Sequence, residues 1–248
     1  MDLSSFFTQH HRAAAAFSGG VDSAFLLYAA KQSGADVTAY YVKTLFQPAF
    51  ELADARRLAR ELAVPLRVLE EDILADGTVA ANPPDRCYYC KKIIFAAIAE
   101  AAARDGYSLL LDGTNASDEE SDRPGMRALR ELRVRSPLRE CGLTKDRIRQ
   151  LSREAGLFTW DKPAYACLAT RIAAGEAITA EKLARTERAE DRLFSLGFSD
   201  FRVRSRGDTA VIQLPRAQFG LFFEKREVIV PALKREYGEV LLDTEGRG

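Results

Sequence analysis

The sequence predicts an α/β protein with a parallel sheet in its first part and a smaller α+β module behind it. Three observations carry this. Up to residue 112, short apolar runs alternate with stretches of helical apolar spacing. A glycine-rich turn, Ser18-Gly19-Gly20-Val21-Asp22-Ser23, stands between the first apolar run and the first helical stretch. After about residue 135 the alternation gives way to a long charged helix pattern and a hairpin pattern. Strands alternating with helices imply right-handed crossovers and a parallel sheet. Ligands of such sheets collect at the carboxyl ends of the strands. The expected division is one domain over 1–140 and a second over 141–248.

The elements follow in order. Residues 13–17 read as a buried strand and 21–33 as the helix after it. Residues 36–43 (DVTAYYVK) form a second strand, 49–62 a helix and 66–70 a third strand. A helix rich in Ala and Ile spans 91–104, and a strand over 107–112 runs into Gly113. The turn at 18–23, the loop at 83–91 and Gly113-Thr114-Asn115 should converge on one sheet edge. Thr144 caps a helix that Ala155-Gly156 ends. Residues 161–171 have no period and read as a loop. A long charged helix over 179–196 stops at Gly197. Strands at 201–205 and 209–214 flank Arg206-Gly207-Asp208 as a hairpin. Helices around 215–235 and a short strand at 240–243 follow, with 245–248 expected to fray.

The 248 residues include 36 Lys+Arg and 36 Asp+Glu, so the net charge is zero. That balance disfavours a protein built to coat nucleic acid, although a local basic groove is compatible with it. No apolar run approaches the ~20 residues of a membrane span, and the apolar stretch at 13–17 is too short for a signal-peptide core. A cytoplasmic location is expected, where thiols stay reduced and cysteines serve catalysis or metal binding rather than disulfides.

Three constellations carry chemistry. In the turn at 18–23, the glycines allow close backbone approach to an anion, Ser18 and Ser23 offer hydroxyls, and the following helix points N–H groups and its positive end at the same spot. Asp22 makes sense beside a phosphate when Mg²⁺ lies between them. The plain alternative is a corner that needs glycine for its geometry. The six-residue pattern in strand–loop–helix context favours phosphate, and specifically an ATP pyrophosphatase loop that yields AMP and pyrophosphate.

Cysteines form the second constellation. Cys87 and Cys90 form a Cys-x-x-Cys pair beside Arg86, Lys91 and Lys92, Cys167 lies in a loop with cations nearby, and Cys141 precedes a capped helix. A structural zinc site, a redox dithiol, inert buried thiols and an iron–sulfur cluster on three cysteines with one open iron are all compatible with this spacing. The third constellation is the loop 113–125, whose carboxylates and Arg123 suit a substrate hydroxyl, a metal or an adenylate, or simply solvent. Arg202 and Arg204 share one face of a strand and could grip a phosphate, or else lie on the exposed side of the hairpin. His10 and His11, the only histidines, precede the first strand, which argues against a His-based triad.

SGGVDS (18–23), RCYYCK (86–91), DGTNASD (112–118), DRPG (122–125), SPL (136–138) and KPAYACLATRI (162–172) occur in this order. Together with FRVR (201–204) they resemble the LarE family of ATP-dependent sulfur transferases. The phosphate loop alone marks the wider PP-loop ATP pyrophosphatase superfamily, with its adenine nucleotide alpha hydrolase-like fold. The resemblance implies that ATP adenylates a carboxylate of a pyridinium dicarboxylate mononucleotide, which then becomes a thiocarboxylate in nickel-pincer cofactor biosynthesis.

Its cofactors would be ATP, Mg²⁺ and, on the three-cysteine pattern, a [4Fe–4S] cluster held by Cys87, Cys90 and Cys167. In other members the cysteine itself gives up its sulfur. By motif position, Ser18, Gly19, Gly20, Asp22 and Ser23 hold the ATP phosphates, and Asp118 and Arg123 line the active site beside Asp22 and Cys167. Arg171, Arg202 and Arg204 bind substrate phosphate or carboxylate, and Glu190 faces a metal. The implied partners are a small-molecule nucleotide substrate, further copies of the chain in a homo-oligomer and a transient sulfur donor, with no membrane or nucleic acid. Ala164 and Thr170 replace expected serines, and Ser117 replaces an expected acid. Three other readings are tRNA thiolation, an ammonia-using amide ligase, which would leave the cysteines without a role, and a metal-bearing binding module, which would release no pyrophosphate.

Overall fold

The computed structural model describes residues 2–118 and 124–247. They divide into two compact units, one of residues 1–73 and 85–162 and one of 74–84 and 163–248. The boundary therefore falls at 162/163 instead of 140/141, and the second unit also takes a short segment from the middle of the first. Asn82 explains that segment's allegiance. Its amide Nδ2 donates to the carbonyls of Ala173 (2.8 Å) and Glu176 (3.2 Å), and its own carbonyl accepts from Gly175 N–H (2.8 Å).

The first unit contains helix α1 (Leu3–Gln9), strand β1 (Arg12–Ala16), α2 (Val21–Gln32), β2 (Asp36–Lys43), α3 (Ala49–Glu61) and β3 (Leu66–Glu70), and, after the segment that carries α4 (Gly77–Ala80), helices α5 (Arg86–Arg104), α6 (Pro124–Glu131), α7 (Pro137–Glu140) and α8 (Lys145–Glu154). Its four strands are all parallel, in the order β3-β2-β1-β4, where β4 is Leu110–Leu111. β1 is central and runs as alanines, buried on both faces as a crossover sheet requires. One core lies between the sheet and α2, α3 and α1, with Phe6, Leu26, Tyr41 and Leu58. A second lies on the opposite face, with Tyr40, Val42, Phe95 and Ile98. The alternation of Tyr40 and Tyr41 between these cores is the two-residue period of a strand.

The second unit has a β-hairpin core. The long helix α9 (Ala180–Ser195) is capped by Thr179, whose side chain accepts from Lys182 N–H. β5 (Arg202–Arg206) pairs antiparallel with β6 (Thr209–Gln213), and β6 pairs parallel with β7 (Glu239–Leu242) after α10 (Phe219–Leu233). Leu193, Phe201, Val203, Ile212 and Ile229 fill its core. The expected fraying at 245–248 is not what the described residues show: Arg247 N–H donates to Leu214 O (2.7 Å), and its guanidinium lies 3.1 Å from Asp200. No helix among the described residues is long and apolar enough to cross a membrane.

Candidate active site

The turn after β1 closes on itself before it can hold anything else. The Ser18 and Ser23 hydroxyls lie 3.2 Å apart, Ser18 Oγ accepts from Gly20 N–H (3.3 Å), and Ser23 Oγ donates to Gly20 O (3.2 Å). Gly19 has φ +75°, and a side chain there would press on the Glu51 carbonyl and Ala55 of α3. Gly20 caps α2 without a side-chain hydrogen bond, so the helix N-terminus stays open to an anion. Gly113 approaches from beyond β4, and a Cβ on it would stand 2.9 Å from Ser23 N. The expected convergence of the 18–23 and 113–115 segments is therefore a backbone contact that only glycine permits.

A cavity of about 340 Å³ opens beside this contact. Ser18, Gly20, Asp22 and Ser23 line it together with Tyr40, Val42, Ile94, Phe95, Ile98 and Thr114, so a polar rim adjoins an apolar wall. Asp22 is half-satisfied there. Its Oδ2 lies 2.6 Å from Lys145 Nζ, and its Oδ1 is buried with no hydrogen-bond partner. A buried carboxylate oxygen left open beside a cavity is a fitting ligand for a divalent cation such as Mg²⁺.

The loop beyond β4 is built from its own polar groups. Ser136 Oγ donates to Asp112 Oδ1 (2.6 Å), and Asp118 Oδ2 accepts from Asn115 N–H (3.0 Å). Arg139 donates to the Asp118 carbonyl, and Ser117 Oγ accepts from Lys145 N–H (3.0 Å). Asp118 thus shapes the loop that carries it, next to the helix bearing Lys145, α8 (Lys145–Glu154), which Thr144 caps as expected. Arg123 lies outside the described residues.

Cys87 and Cys90 do not precede their helix; they sit in its first turn, because α5 spans Arg86–Arg104. Residues three apart on a helix share a face. Arg86 is buried, its Nη2 lies 3.7 Å from Cys87 Sγ, and its Nε and Nη1 have no partner among the described residues. None of the four cysteines is in a disulfide. Cys167 belongs to the second unit, and among the described residues no three His, Cys, Asp or Glu side chains gather as a metal site. Within the first unit, Cys87 and Cys90 are a two-thiol donor pair on one face of α5, a fitting part of a metal or cluster ligand set.

In the second unit, Cys167 leads into a short 3₁₀ turn, Leu168–Arg171. Arg171 and Glu190 are both buried and joined as a fork, with Nε–Oε1 2.8 Å and Nη2–Oε2 3.1 Å. Arg171 Nη1 also donates to Ala166 O (2.9 Å) and Thr170 Oγ1 (2.9 Å), and it lies 3.5 Å from Cys167 O. The Glu190 oxygens further accept from Val203 N–H (2.9 Å) and from the Tyr165 hydroxyl. The two residues expected at substrate and at metal are thus each other's partners, and together they anchor the Cys167 loop to α9.

Arg202 and Arg204 share a face, as their spacing requires, but that face is turned inward. Arg202 donates to the carbonyls of Phe201 and Ala164, and Arg204 to Thr170 O (2.6 Å) and Gln213 Oε1 (2.9 Å). Burial, with Arg171 and Arg247 nearby, pushes the Arg202 guanidinium down to about 10 and lowers Arg204 for the same reasons. Such a crowd of cations is a ready anion site.

Lys145 lies beside Asp22 although it stands outside every quoted motif, whereas Lys162 and Arg86 open two of them. Lys162 Nζ lies 2.7 Å from Asp54 Oδ2 and 3.4 Å from Gly19 O. Nothing in spacing could pair Lys145 with Asp22, 123 positions away.

A four-stranded parallel sheet with this loop after its central strand defines a PP-loop α/β protein. No protein-family model matches the chain. It is 37% identical over 213 residues to the pyridinium-3,5-bisthiocarboxylic acid mononucleotide synthase of Lactiplantibacillus plantarum, covering 85% of this chain and 77% of that enzyme. An uncharacterized protein of Synechocystis is 38% identical over 90% of this chain and 84% of its own length. A tRNA-specific 2-thiouridylase of Pseudothermotoga lettingae is 28% identical over 58% of this chain and 52% of its own length. The chain belongs to the LarE family and is an enzyme, a sulfurtransferase.

Proposed function

We propose that this enzyme uses ATP to adenylate a carboxylate of a pyridinium dicarboxylate mononucleotide and then converts it to a thiocarboxylate. The observation that carries the first half is the self-closed loop at 18–23 with the open Asp22 oxygen beside the cavity. The L. plantarum relative, whose name specifies a bisthiocarboxylic acid mononucleotide, supports the substrate. In adenylation a carboxylate oxygen bonds to the α-phosphorus, the bond to the bridging oxygen breaks, and pyrophosphate departs with the electron pair. In transfer a sulfur nucleophile bonds to the acyl carbon, and AMP departs from it with the electron pair of the C–O bond.

The α2 N-terminus and the loop N–H groups hold phosphate, and Asp22 Oδ1 would hold Mg²⁺. Cys87, Cys90 and Cys167 would hold a [4Fe–4S] cluster, which when bound supplies an iron site that can carry sulfide. Arg171 and Glu190 set the Cys167 loop, and Arg202 and Arg204 bind the substrate's phosphate or carboxylate. Asp118 and Arg123 are assigned to the acyl-adenylate by motif position alone. Cys167→Ala tests the division of labour: pyrophosphate release is expected to persist while thiocarboxylate formation stops. Thiocarboxylate formed at wild-type rate by that variant would remove Cys167 from the mechanism.

A further inference from the structure

Arg86 is buried, with 6% of its surface exposed. Buried charges are ordinarily paired, because an unpaired one is costly to the fold. Yet two of its donors, Nε and Nη1, are buried with no hydrogen-bond partner among the described residues. The Phe46 ring lies 5.5 Å from the guanidinium and offers it a π face but no anion. Nη2 is turned to Cys87, 3.7 Å from its Sγ, and Cys87 itself is exposed. Structural arginines in this protein look different. Arg171 is tied on every nitrogen, to Glu190 and to the Ala166 carbonyl. Lys92, one turn along α5, has Glu131 at 3.8 Å and the Tyr88 hydroxyl at 3.4 Å. The helix adds to the charge on Arg86. Arg86 and Cys87 open α5, whose N-cap Asp85 makes no side-chain bond, so its positive end faces the same turn. Cys90 follows three residues on, on the face of Cys87.

A pair of thiolates carrying an iron–sulfur cluster supplies the anion that this buried cation calls for. We infer that Arg86 is a positioning residue for that group, the built-in counter-charge of a cluster held by Cys87 and Cys90. Nη2 orients the Cys87 sulfur, and the charge of the whole guanidinium offsets the negative charge of the thiolates and the cluster. Reduction adds one more negative charge, so a fixed cation beside the group favours the reduced form. This rests on the cluster reading of the cysteines. The same arginine is a liability when no anion is bound, which separates it from a residue that only holds the fold.

The test compares full-length wild type, Arg86→Met and Arg86→Lys, each metal-free and after anaerobic reconstitution with iron and sulfide. Without metal, Arg86→Met should melt at a higher temperature than wild type, because an apolar chain replaces an unpaired buried charge. Reconstitution should then raise the melting temperature of wild type by more than that of Arg86→Met. In a redox titration followed by absorption, the Arg86→Met cluster should be about tenfold harder to reduce, a fall of about 59 mV for one electron. Arg86→Lys keeps the charge and should stay within about threefold of wild type. An Arg86→Met protein that is less stable than wild type without metal, or does not fold, gives Arg86 a structural role and overturns the inference. An unchanged potential, an equal gain on reconstitution, or a fall as large in Arg86→Lys as in Arg86→Met overturns it too. A wild-type protein that takes up no iron and sulfide overturns the cluster reading, and the counter-charge with it.

Discussion

Glu190 accepts four hydrogen bonds on its two oxygens, from Arg171 Nε and Nη2, Val203 N–H and the Tyr165 hydroxyl. No lone pair remains for a metal in this arrangement, so its chemistry is that of a buried counter-ion. Removing one member of a buried pair strands the other, at a cost of about 3–5 kcal/mol. Arg171→Met and Glu190→Gln should each lower the unfolding free energy by that scale, read as a fall in the urea midpoint; midpoints within error of wild type would contradict the anchoring role. Arg202 makes a second residue-level prediction. Its guanidinium is displaced down to about 10 by burial and by Arg171 and Arg247, with Glu190 and Asp200 acting in the opposite sense. Protonated Arg202 is therefore costly to the fold until an anion joins it, and the charge is lost as pH rises through about 10. Below that pH, phosphate should raise the melting temperature. The gain should shrink above about pH 10 and vanish in Arg202→Met, and a pH-independent gain would argue against this cluster as the binding site.

Among the elements, those with a periodic apolar face were legible in the sequence. Residues 36–43 and 66–70 form strands with the bounds read from their pattern, and the Thr144 cap predicts the start of α8. Elements without such a face were not. Arg86-Cys87-Tyr88-Tyr89-Cys90 carries no helical apolar period and its N-cap, Asp85, makes no side-chain bond, yet it opens α5. The strand expected at 107–112 is reduced to Leu110–Leu111, the residues in register with β1, and Asp112 N–H turns away to Arg135 O (2.9 Å). α1 escaped the reading although Asp2 caps it and Phe6 and Phe7 are buried. The cap on α8 has a functional consequence. Thr144→Ala should cost about 1 kcal/mol of stability. It should also weaken ATP binding, because Lys145, the partner of Asp22, is the next residue; unchanged ATP affinity would detach the cap from the site. Gly113→Ala tests the meeting of two loops. A Cβ 2.9 Å from Ser23 N forces the phosphate loop open, and nucleotide affinity should fall at least tenfold while the fold persists.

At the scale of the molecule, the change of pattern near residue 135 pointed to two units, but the seam at 162/163 and the inserted segment 74–84 were not legible. The segment 74–84 joins the second unit through Asn82 and the carbonyls of Ala173 and Glu176, contacts about ninety positions apart that no local pattern encodes. The motif residues of the phosphate loop were legible because glycine geometry is local. Lys145 was not, and neither were the partners of Lys162 and Arg86, because a long cation reveals its partner only after the chain has folded. The central claim, that ATP is cleaved between its α- and β-phosphates to activate a carboxylate, is a property of the whole enzyme. The most direct measurement is pyrophosphate release by the purified wild-type protein with ATP, Mg²⁺ and the pyridinium dicarboxylate mononucleotide, with and without that substrate. The account predicts AMP and pyrophosphate in equal amounts, dependent on the carboxylate and lost in Asp22→Asn. Release of ADP and phosphate, or no carboxylate-dependent pyrophosphate, would contradict it.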